Sequence, residues 1–369
     1  MKVLITGADG FVAKNLRAHL AERSDINILL FSRENEILEL YDLVKEVDFV
    51  FHLAGVNRTH TVDDFRLVNQ DLTQALCDAL SLVGRKTPVL FTSSTQASLP
   101  NPYGLSKLAA EKILRDFSEQ YATPVYIYRL PNIFGKWAKP NYNSAVATFC
   151  HNIAHDLPIQ VNDSAAEMTL AYVDDVVTQF IRVMDGFVPE NAFTCMTEPL
   201  YNISVGELAN TIYAFRNSRN TLVTESVGCG LIRALYATYV SYFSPAIFSY
   251  PLPKYADERG VFVEMLKTKE AGQFSFFTAY PGITRGGHYH HSKTEKFLVI
   301  KGRARFGFRH IISSEYHEVL ASGEEPTIIE TVPGWAHDIT NVGTDEMIVM
   351  LWANEIFDRA HPDTYVRVV

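Results

Sequence analysis

Over the first 130 residues, short apolar runs alternate with stretches whose apolar positions recur every three to four residues. The runs at 3–5, 26–31, 49–53, 89–92 and 125–128 predict buried strands. The stretches at 15–22, 37–45, 67–82 and 106–120 predict amphipathic helices. Strands alternating with helices are joined by right-handed crossovers. This half therefore predicts an α/β domain with a doubly wound parallel sheet covered on both faces.

The pattern changes near residue 245. Ser244-Pro245 and Pro251-Leu252-Pro253 are breakers. Beyond them come short, β-rich segments punctuated by turns, at 261–266, 274–279, 297–300, 304–309, 327–332 and 347–351. That spacing predicts an all-β sandwich or barrel. Seven of the twelve histidines also lie in this part. The expected division is thus 1–244 and 245–369.

A length of 369 residues is ample for two cores, so no staple is needed for folding. With 47% hydrophobic and 20% charged residues, the chain is neither disordered nor fibrous. Thirty-three basic residues against 42 acidic ones give a net charge of -9. That excludes sequence-independent nucleic-acid binding as an expectation, because such binding needs clustered cations. Cys77, Cys150, Cys195 and Cys229 are scattered and form no CxxC pair, which predicts buried thiols in a reducing cytoplasm. No apolar run is long enough to insert in a membrane, and Gly7 and Asp9 stop the N-terminal run short of a signal peptide.

Gly7-Ala8-Asp9-Gly10-Phe11-Val12-Ala13 follows the first predicted strand and opens a helix. Glycines there allow a tight turn and close approach of a pyrophosphate, and Phe11 and Val12 begin the helix whose free N–H groups face it. The end of the second strand carries Ser32-Arg33. Arg33 suits a ribose 2′-phosphate and predicts NADP(H), whereas Glu34 beside it is the residue type that favours NAD(H). Tyr103 and Lys107 stand four apart on one helical face, where an ammonium favours the phenolate and lowers the phenol's pKa. Thr92-Ser93-Ser94 ends a buried strand, the end at which α/β sheets bind ligands.

These segments, with HLAG (52–55), VNQDLT (68–73), YRLPNIFG (128–135) and YVDDVV (172–177), resemble the extended short-chain dehydrogenase/reductases of the nucleotide-sugar type. The resemblance implies that Ser94, Tyr103 and Lys107 form the catalytic triad. It places Leu53 and Ala54 at the cofactor and Asn132 at the sugar nucleotide. Ala13 departs from the family's third glycine, and Tyr172 stands where many relatives carry His.

In the β-rich part, Gly282-x5-His288-x-His290-x4-Glu295-x6-Gly302 is followed by Pro333-Gly334-x2-His337-x3-Asn341. Residues two apart in a strand share a face, so His288 and His290 are expected to aim inward and His291 outward. Three imidazoles and a carboxylate are donors for a divalent metal. The set suits Zn, Fe, Mn or Ni, with redox-silent Zn expected. Both motifs are similar to those of the cupin superfamily, which implies a jelly-roll barrel. The segments 257–264 and 284–288 resemble metal-free epimerases of dTDP-4-keto-6-deoxyhexoses. By that similarity His288 is a catalytic base, so its role stays open between ligand and base. Arg259 and Arg285 are expected to bind substrate, and Lys296 to stabilise an enolate or to be ordinary surface charge.

A ketone makes its neighbouring C–H acidic and also accepts hydride. A 4-keto sugar nucleotide therefore suits both sites, with epimerisation before reduction. The order of domains, with AGVNR (54–58), PNYNSAVATFC (140–150) and TEKFLV (294–299), resembles the bifunctional capsular polysaccharide biosynthesis enzymes of the CapF/WbjC type. That resemblance implies C3 epimerisation of a UDP-2-acetamido-2,6-dideoxy-hexos-4-ulose and NADPH-dependent reduction at C4. The product would be UDP-2-acetamido-2,6-dideoxy-L-talose, a precursor of UDP-N-acetyl-L-fucosamine, and the enzyme a homodimer or larger. Two other readings stay open: a dTDP-sugar reductase with a metal-free 3,5-epimerase, and a non-catalytic sugar-nucleotide-binding scaffold.

Overall fold

The computed structural model of the chain describes residues 1–59, 62–253, 255–257, 260–262, 265–268, 272–355 and 360–369. Contacts divide the chain into two compact units, Met1–Lys139 with Met168–Asn202, and Pro140–Glu167 with Ile203–Val369. The helices Ala145–Ala154, Val205–Thr221 and Gly230–Val240 thus belong to the same unit as the C-terminal strands. The change from helix to strand falls between Gly230–Val240 and the strand Ser249–Pro251.

The first unit is built on a parallel sheet of five strands, β1 (Lys2–Thr6), β2 (Asn27–Phe31), β3 (Phe49–His52), β4 (Val89–Ser94) and β5 (Val125–Leu130), in the order β2-β1-β3-β4-β5. Leu4, Val50, Phe91 and Ile127 of the sheet are buried against Leu76, Leu80 and Leu114 of the flanking helices. Every residue of β4 is buried, as a strand covered on both faces requires. Strand order reverses between β1 and β3, so a crevice opens at their carboxyl ends, where ligands bind such sheets. The helix expected at 106–120 starts earlier, as Pro102–Tyr121, because the Asn101 side chain accepts from the Gly104 N–H at 2.8 Å and Pro102 fits the first turn. The helix expected at 67–82 divides into a π-helical turn, Arg66–Asp71, and the α-helix Leu72–Val83, which Gly84 ends in the left-handed region at φ 68°.

The second unit contains two antiparallel five-stranded sheets. One runs Ser249–Pro251, Thr327–Glu330, Glu295–Lys301, Met347–Ala353, Gln273–Ala279. The other runs Tyr316–Ser322, Arg303–His310, Trp335–Asn341, Thr284–Tyr289, Tyr365–Val366. Phe297 of the first sheet meets Phe306 of the second with ring centroids 5.8 Å apart, in a core that also buries Val299, Ile329, Val349, Phe308 and Ile339. The strands Thr284–Tyr289 and Trp335–Asn341 were expected only from the placement of His288, His290 and His337, and Tyr316–Ser322 was not expected, since glycines or polar residues interrupt their apolar pattern. The segment expected at 261–266 begins in the hairpin Tyr255–Asp257 with Gly260–Phe262, and its residues 263 and 264 lie outside the described ones.

Candidate functional site

The nucleotide cradle forms where β1 and β3 end. Gly7 has φ +66°, and a Cβ on it would lie 2.6 Å from the Ala54 Cα, so only glycine lets the two strand ends approach this closely. Gly10 caps the helix Phe11–Leu20 with extended backbone and donates its N–H to the Gly7 carbonyl at 2.9 Å. No acidic residue stands in that helix's first turn, which leaves its N-terminus favourable to an anion. Phe11, Val12 and Leu53 are half-buried at this rim, and Arg33 is exposed just past β2. Beneath the cradle, His52 is buried between the Thr6 and Thr73 hydroxyls at 2.7 and 2.8 Å. Burial and the Lys107 charge push its pKa down to about 3, so it is a neutral brace.

Tyr103 and Lys107 occupy the first turns of Pro102–Tyr121. Lys107 is buried and donates through Nζ to the Thr92 carbonyl at 2.8 Å. Burial lowers its pKa to about 8, against the pull of Glu111 one turn on. Burial raises the Tyr103 phenol, and a hydrogen bond with Ser94 opposes it. The direction is opposite to the lowering expected from Lys107, because burial disfavours the phenolate. A protonated phenol is the form that gives a proton to a ketone being reduced. Sequence reading assigned no role to Asn69, although it stands in the quoted VNQDLT segment. Its amide donates to Ser106 Oγ at 2.9 Å, Ser106 donates to the Tyr103 carbonyl at 2.7 Å, and the Val56 N–H donates to Asn69 at 2.9 Å. Asn69 thereby ties the turn after β3 to the Tyr103 helix. Asn132 is exposed and donates to the Thr169 carbonyl at 3.3 Å.

In the second unit, ligand atoms of His288, His290, Glu295 and His337 all lie within 4.8 Å of one another. Glu295 Oε2 is 3.1 Å from His290 Nε2 and 3.4 Å from His337 Nε2. A β-bulge at Gly286-Gly287, both with positive φ, shifts the register so that His288 pairs with His337. Burial alone would raise the Glu295 carboxyl, but hydrogen bonds from His290 and His337 hold it well below the usual range. Burial, with the neighbouring His337 and His290, pushes His288 down to about 3, and burial lowers His337. Three imidazole nitrogens and one carboxylate oxygen form an N3O donor set that fits a divalent cation. His290, Glu295 and His337 are buried, while His288 is only partly so.

Other expected residues of this half lie elsewhere. Lys296 is neighbour to Glu295 in its strand and so faces the opposite side. It is 2% exposed and bonds Glu330 and, at 3.1 Å, Tyr250, so it is neither in the cluster nor a surface charge. Burial alone would lower its pKa, but the Glu330 charge holds the ammonium well above its ordinary value. The lysine at the cluster is Lys293, whose Nζ is 3.1 Å from Glu295 Oε1. Arg285 is exposed, donates to the Thr278 carbonyl at 3.1 Å and covers the Phe277 ring, away from the four ligands. His291, expected to aim outward, is 3% exposed and packs on Tyr365 and Tyr289. Arg259 lies outside the described residues.

Residues 3–193 match the NAD dependent epimerase/dehydratase family, and 255–365 match the polysaccharide biosynthesis C-terminal domain. The chain is 61% identical to a UDP-2-acetamido-2,6-beta-L-arabino-hexul-4-ose reductase of Pseudomonas aeruginosa over 99% of this chain and 98% of that one. It is similar to the crystal structure of the capsular polysaccharide assembling protein CapF from Staphylococcus aureus, with a TM-score of 0.70, 41% identity and full coverage of both chains. A UDP-glucuronic acid 4-epimerase from Bacillus cereus, in complex with NAD, shares the fold over 57% of this chain and 83% of its own at 17% identity and a TM-score of 0.51. Among the described residues no helix is long and apolar enough to cross a membrane. With a parallel dinucleotide-type sheet, two antiparallel sheets and matches that run the length of the sequence, the chain belongs to the CapF/WbjC-type capsular polysaccharide biosynthesis enzymes, nicotinamide-dependent reductases of the NAD dependent epimerase/dehydratase family fused to a polysaccharide biosynthesis C-terminal domain.

Proposed function

We propose that the chain epimerises C3 of a UDP-2-acetamido-2,6-dideoxy-hexos-4-ulose and then reduces its C4 ketone with NADPH to UDP-2-acetamido-2,6-dideoxy-L-talose. The product is a precursor of UDP-N-acetyl-L-fucosamine for a surface polysaccharide. The observation that carries this reading is the end-to-end match, at 61% identity, to a reductase of a 4-keto UDP-sugar. The catalytic division is taken at residue 245, with reduction in 1–244 and epimerisation in 245–369.

In the reductive half, Ser94 holds the ketone oxygen, and Tyr103 gives that oxygen a proton as C4 is reduced. The ammonium of Lys107 then stabilises the phenolate that remains. Bound NADPH supplies the hydride, and Arg33 beside the ribose favours it over NADH. In the epimerising half, His290, Glu295 and His337 hold a divalent metal, zinc by preference, with His288 as the fourth group of the cluster. Such a metal, when bound, polarises the ketone and eases loss of the C3 proton. A second reading of His288 rests on its partial exposure, which sets it apart from the other three: as a neutral imidazole facing the substrate side it accepts the C3 proton. Asn132 meets the sugar nucleotide. Assembly into a dimer or larger belongs to the same reading, and it would cover the exposed Phe276 and Tyr280 at the edge strand Gln273–Ala279. NADPH and UDP-sugars place the work in the cytoplasm.

The test is turnover of the UDP-4-keto-6-deoxy-HexNAc with NADPH in deuterated water. The expected product carries deuterium at C3 in step with NADPH oxidation. Oxidation with protium retained at C3 overturns the epimerase half, and equal turnover of a dTDP-sugar overturns the nucleotide assignment.

A further inference from the structure

The segment that carries His288 and His290 is flanked on one side by the last strand of its own sheet. A second stretch of chain, Asp363 to Arg367, lies along it. Tyr365–Val366 pairs antiparallel with the strand Thr284–Tyr289, with Val366 opposite His288 and Tyr365 opposite Tyr289. The Arg367 N–H donates to the Gly287 carbonyl at 2.8 Å, across the bulge that re-aims His288. Tyr365 packs its ring against Tyr289 and His291. Two residues earlier, the Asp363 carboxylate accepts three consecutive backbone N–H groups, from His291 at 2.8 Å and from Ser292 and Lys293 at 2.7 Å each. It also accepts the Ser292 hydroxyl at 3.0 Å. The Asp363 carbonyl takes the N–H of His290 Nδ1.

That last bond fixes the imidazole. With Nδ1 turned to the Asp363 carbonyl, Nε2 is the nitrogen left for a metal, and it lies within the cluster, 3.1 Å from Glu295 Oε2. The carboxylate meanwhile fixes the turn of chain between His290 and Glu295, so one residue orients a ligand and sets the reach to the next. We infer that Asp363 is a positioning residue for the metal centre, a latch from a distant part of the sequence that orients His290 and shapes the 291–293 turn for a divalent cation. The inference rests on the reading of His290, Glu295 and His337 as metal ligands. Removing an outer partner of this kind weakens metal binding ten- to hundred-fold without removing a ligand.

The experiment strips the full-length protein with a chelator and titrates it with Co(II), following the visible absorption of the bound ion and competing it with a chromophoric chelator. Wild type is expected to bind one equivalent. Asp363→Ala is expected to bind about ten- to hundred-fold more weakly with an altered Co(II) spectrum. Asp363→Asn, isosteric and still able to accept from the turn, is expected to fold and to fall between. Thermal unfolding of the metal-free proteins separates loss of fold from loss of site. An alanine variant within three-fold of a wild type that binds overturns the latch, whatever its melting point; if that variant does not fold, an asparagine variant indistinguishable from wild type does the same. A wild type that binds no Co(II) overturns the ligand reading itself, and the latch with it.

Discussion

Glu111 is 1% exposed, yet its carboxylate is fully engaged. It accepts from Ser93 Oγ at 2.6 Å and from Arg129 through two bonds of 2.8 and 2.7 Å, and Arg115 lies 3.5 Å away. One helical turn earlier stands Lys107, whose other neighbours are Tyr103 on the same helix and the neutral His52 on β3. In the proposed reduction Lys107 serves as an ammonium, so turnover should fall as the pH rises through about 8, where burial has brought its pKa. Glu111→Gln removes the charge that opposes this lowering, and the descending limb of kcat/KM for NADPH oxidation should move to lower pH. Arg129 loses its partner too, at a cost of about 1–3 kcal/mol in stability. An unmoved limb in a folded variant would show that the carboxylate does no more than hold Arg129. At this scale the sequence was legible where a motif fixed spacing, as with Tyr103 and Lys107. It misled where orientation decided. Lys296 and Lys293 are equally plausible beside Glu295 on paper, and only strand alternation and the 290–294 turn put Lys293 on the carboxylate and Lys296 on Glu330. Asp363 was invisible, because nothing in the sequence reports pairing over 70 residues of separation.

Elements fix where these side chains meet, and Gly104 marks one such junction. A Cβ on it would lie 2.1 Å from the Gln96 carbonyl oxygen and 2.6 Å from that of Leu99, so the start of Pro102–Tyr121 rests directly on the turn Thr95–Ser98. That turn follows Ser94, whose Oγ accepts from the Gln96 N–H at 3.1 Å. Gly104→Ala must push helix and turn apart, and with them Tyr103 and Ser94. Displacement near 1 Å costs about a hundred-fold in rate. The expected result is a kcat for ketone reduction lower by about that factor, with NADPH affinity unchanged because Gly7 and Gly10 lie on other elements. Near-normal kcat in this variant would mean that the junction tolerates a methyl and that Tyr103 is placed by Asn69 and Ser106 instead. The strand–helix order of the first unit was readable because buried parallel strands are continuous apolar runs. Trp335–Asn341 showed only through the motif that puts His337 on a strand, since its inward positions carry His337 and Asn341, and a polar lining erases the alternation on which strand recognition depends.

At the scale of the whole molecule, the proposed function puts one ketone to two reactions of different reversibility. Loss and return of the C3 proton leaves the sugar near equilibrium between epimers, whereas reduction at C4 removes the group that made C3 acidic. On that proposal the reductive half acts as a trap for the epimerised form, and the halves should be separable by substitution. In the proposed scheme Tyr103→Phe deletes only the proton donor at C4. With NADPH and substrate in deuterated water, this variant should exchange the C3 proton and approach a mixture of epimers while NADPH oxidation falls at least about a hundred-fold, the share that a positioned acid contributes. Chelation of the wild type should do the reverse, abolishing exchange at C3 while NADPH still binds at the cradle of Gly7, Gly10 and Ala54. Epimers followed by NMR and cofactor followed by absorbance read the two steps independently. Loss of exchange in Tyr103→Phe would mean that the first unit also handles the C3 proton, and the cluster of His288, His290, Glu295 and His337 would then serve stability alone, visible as a lower melting point after chelation with exchange intact.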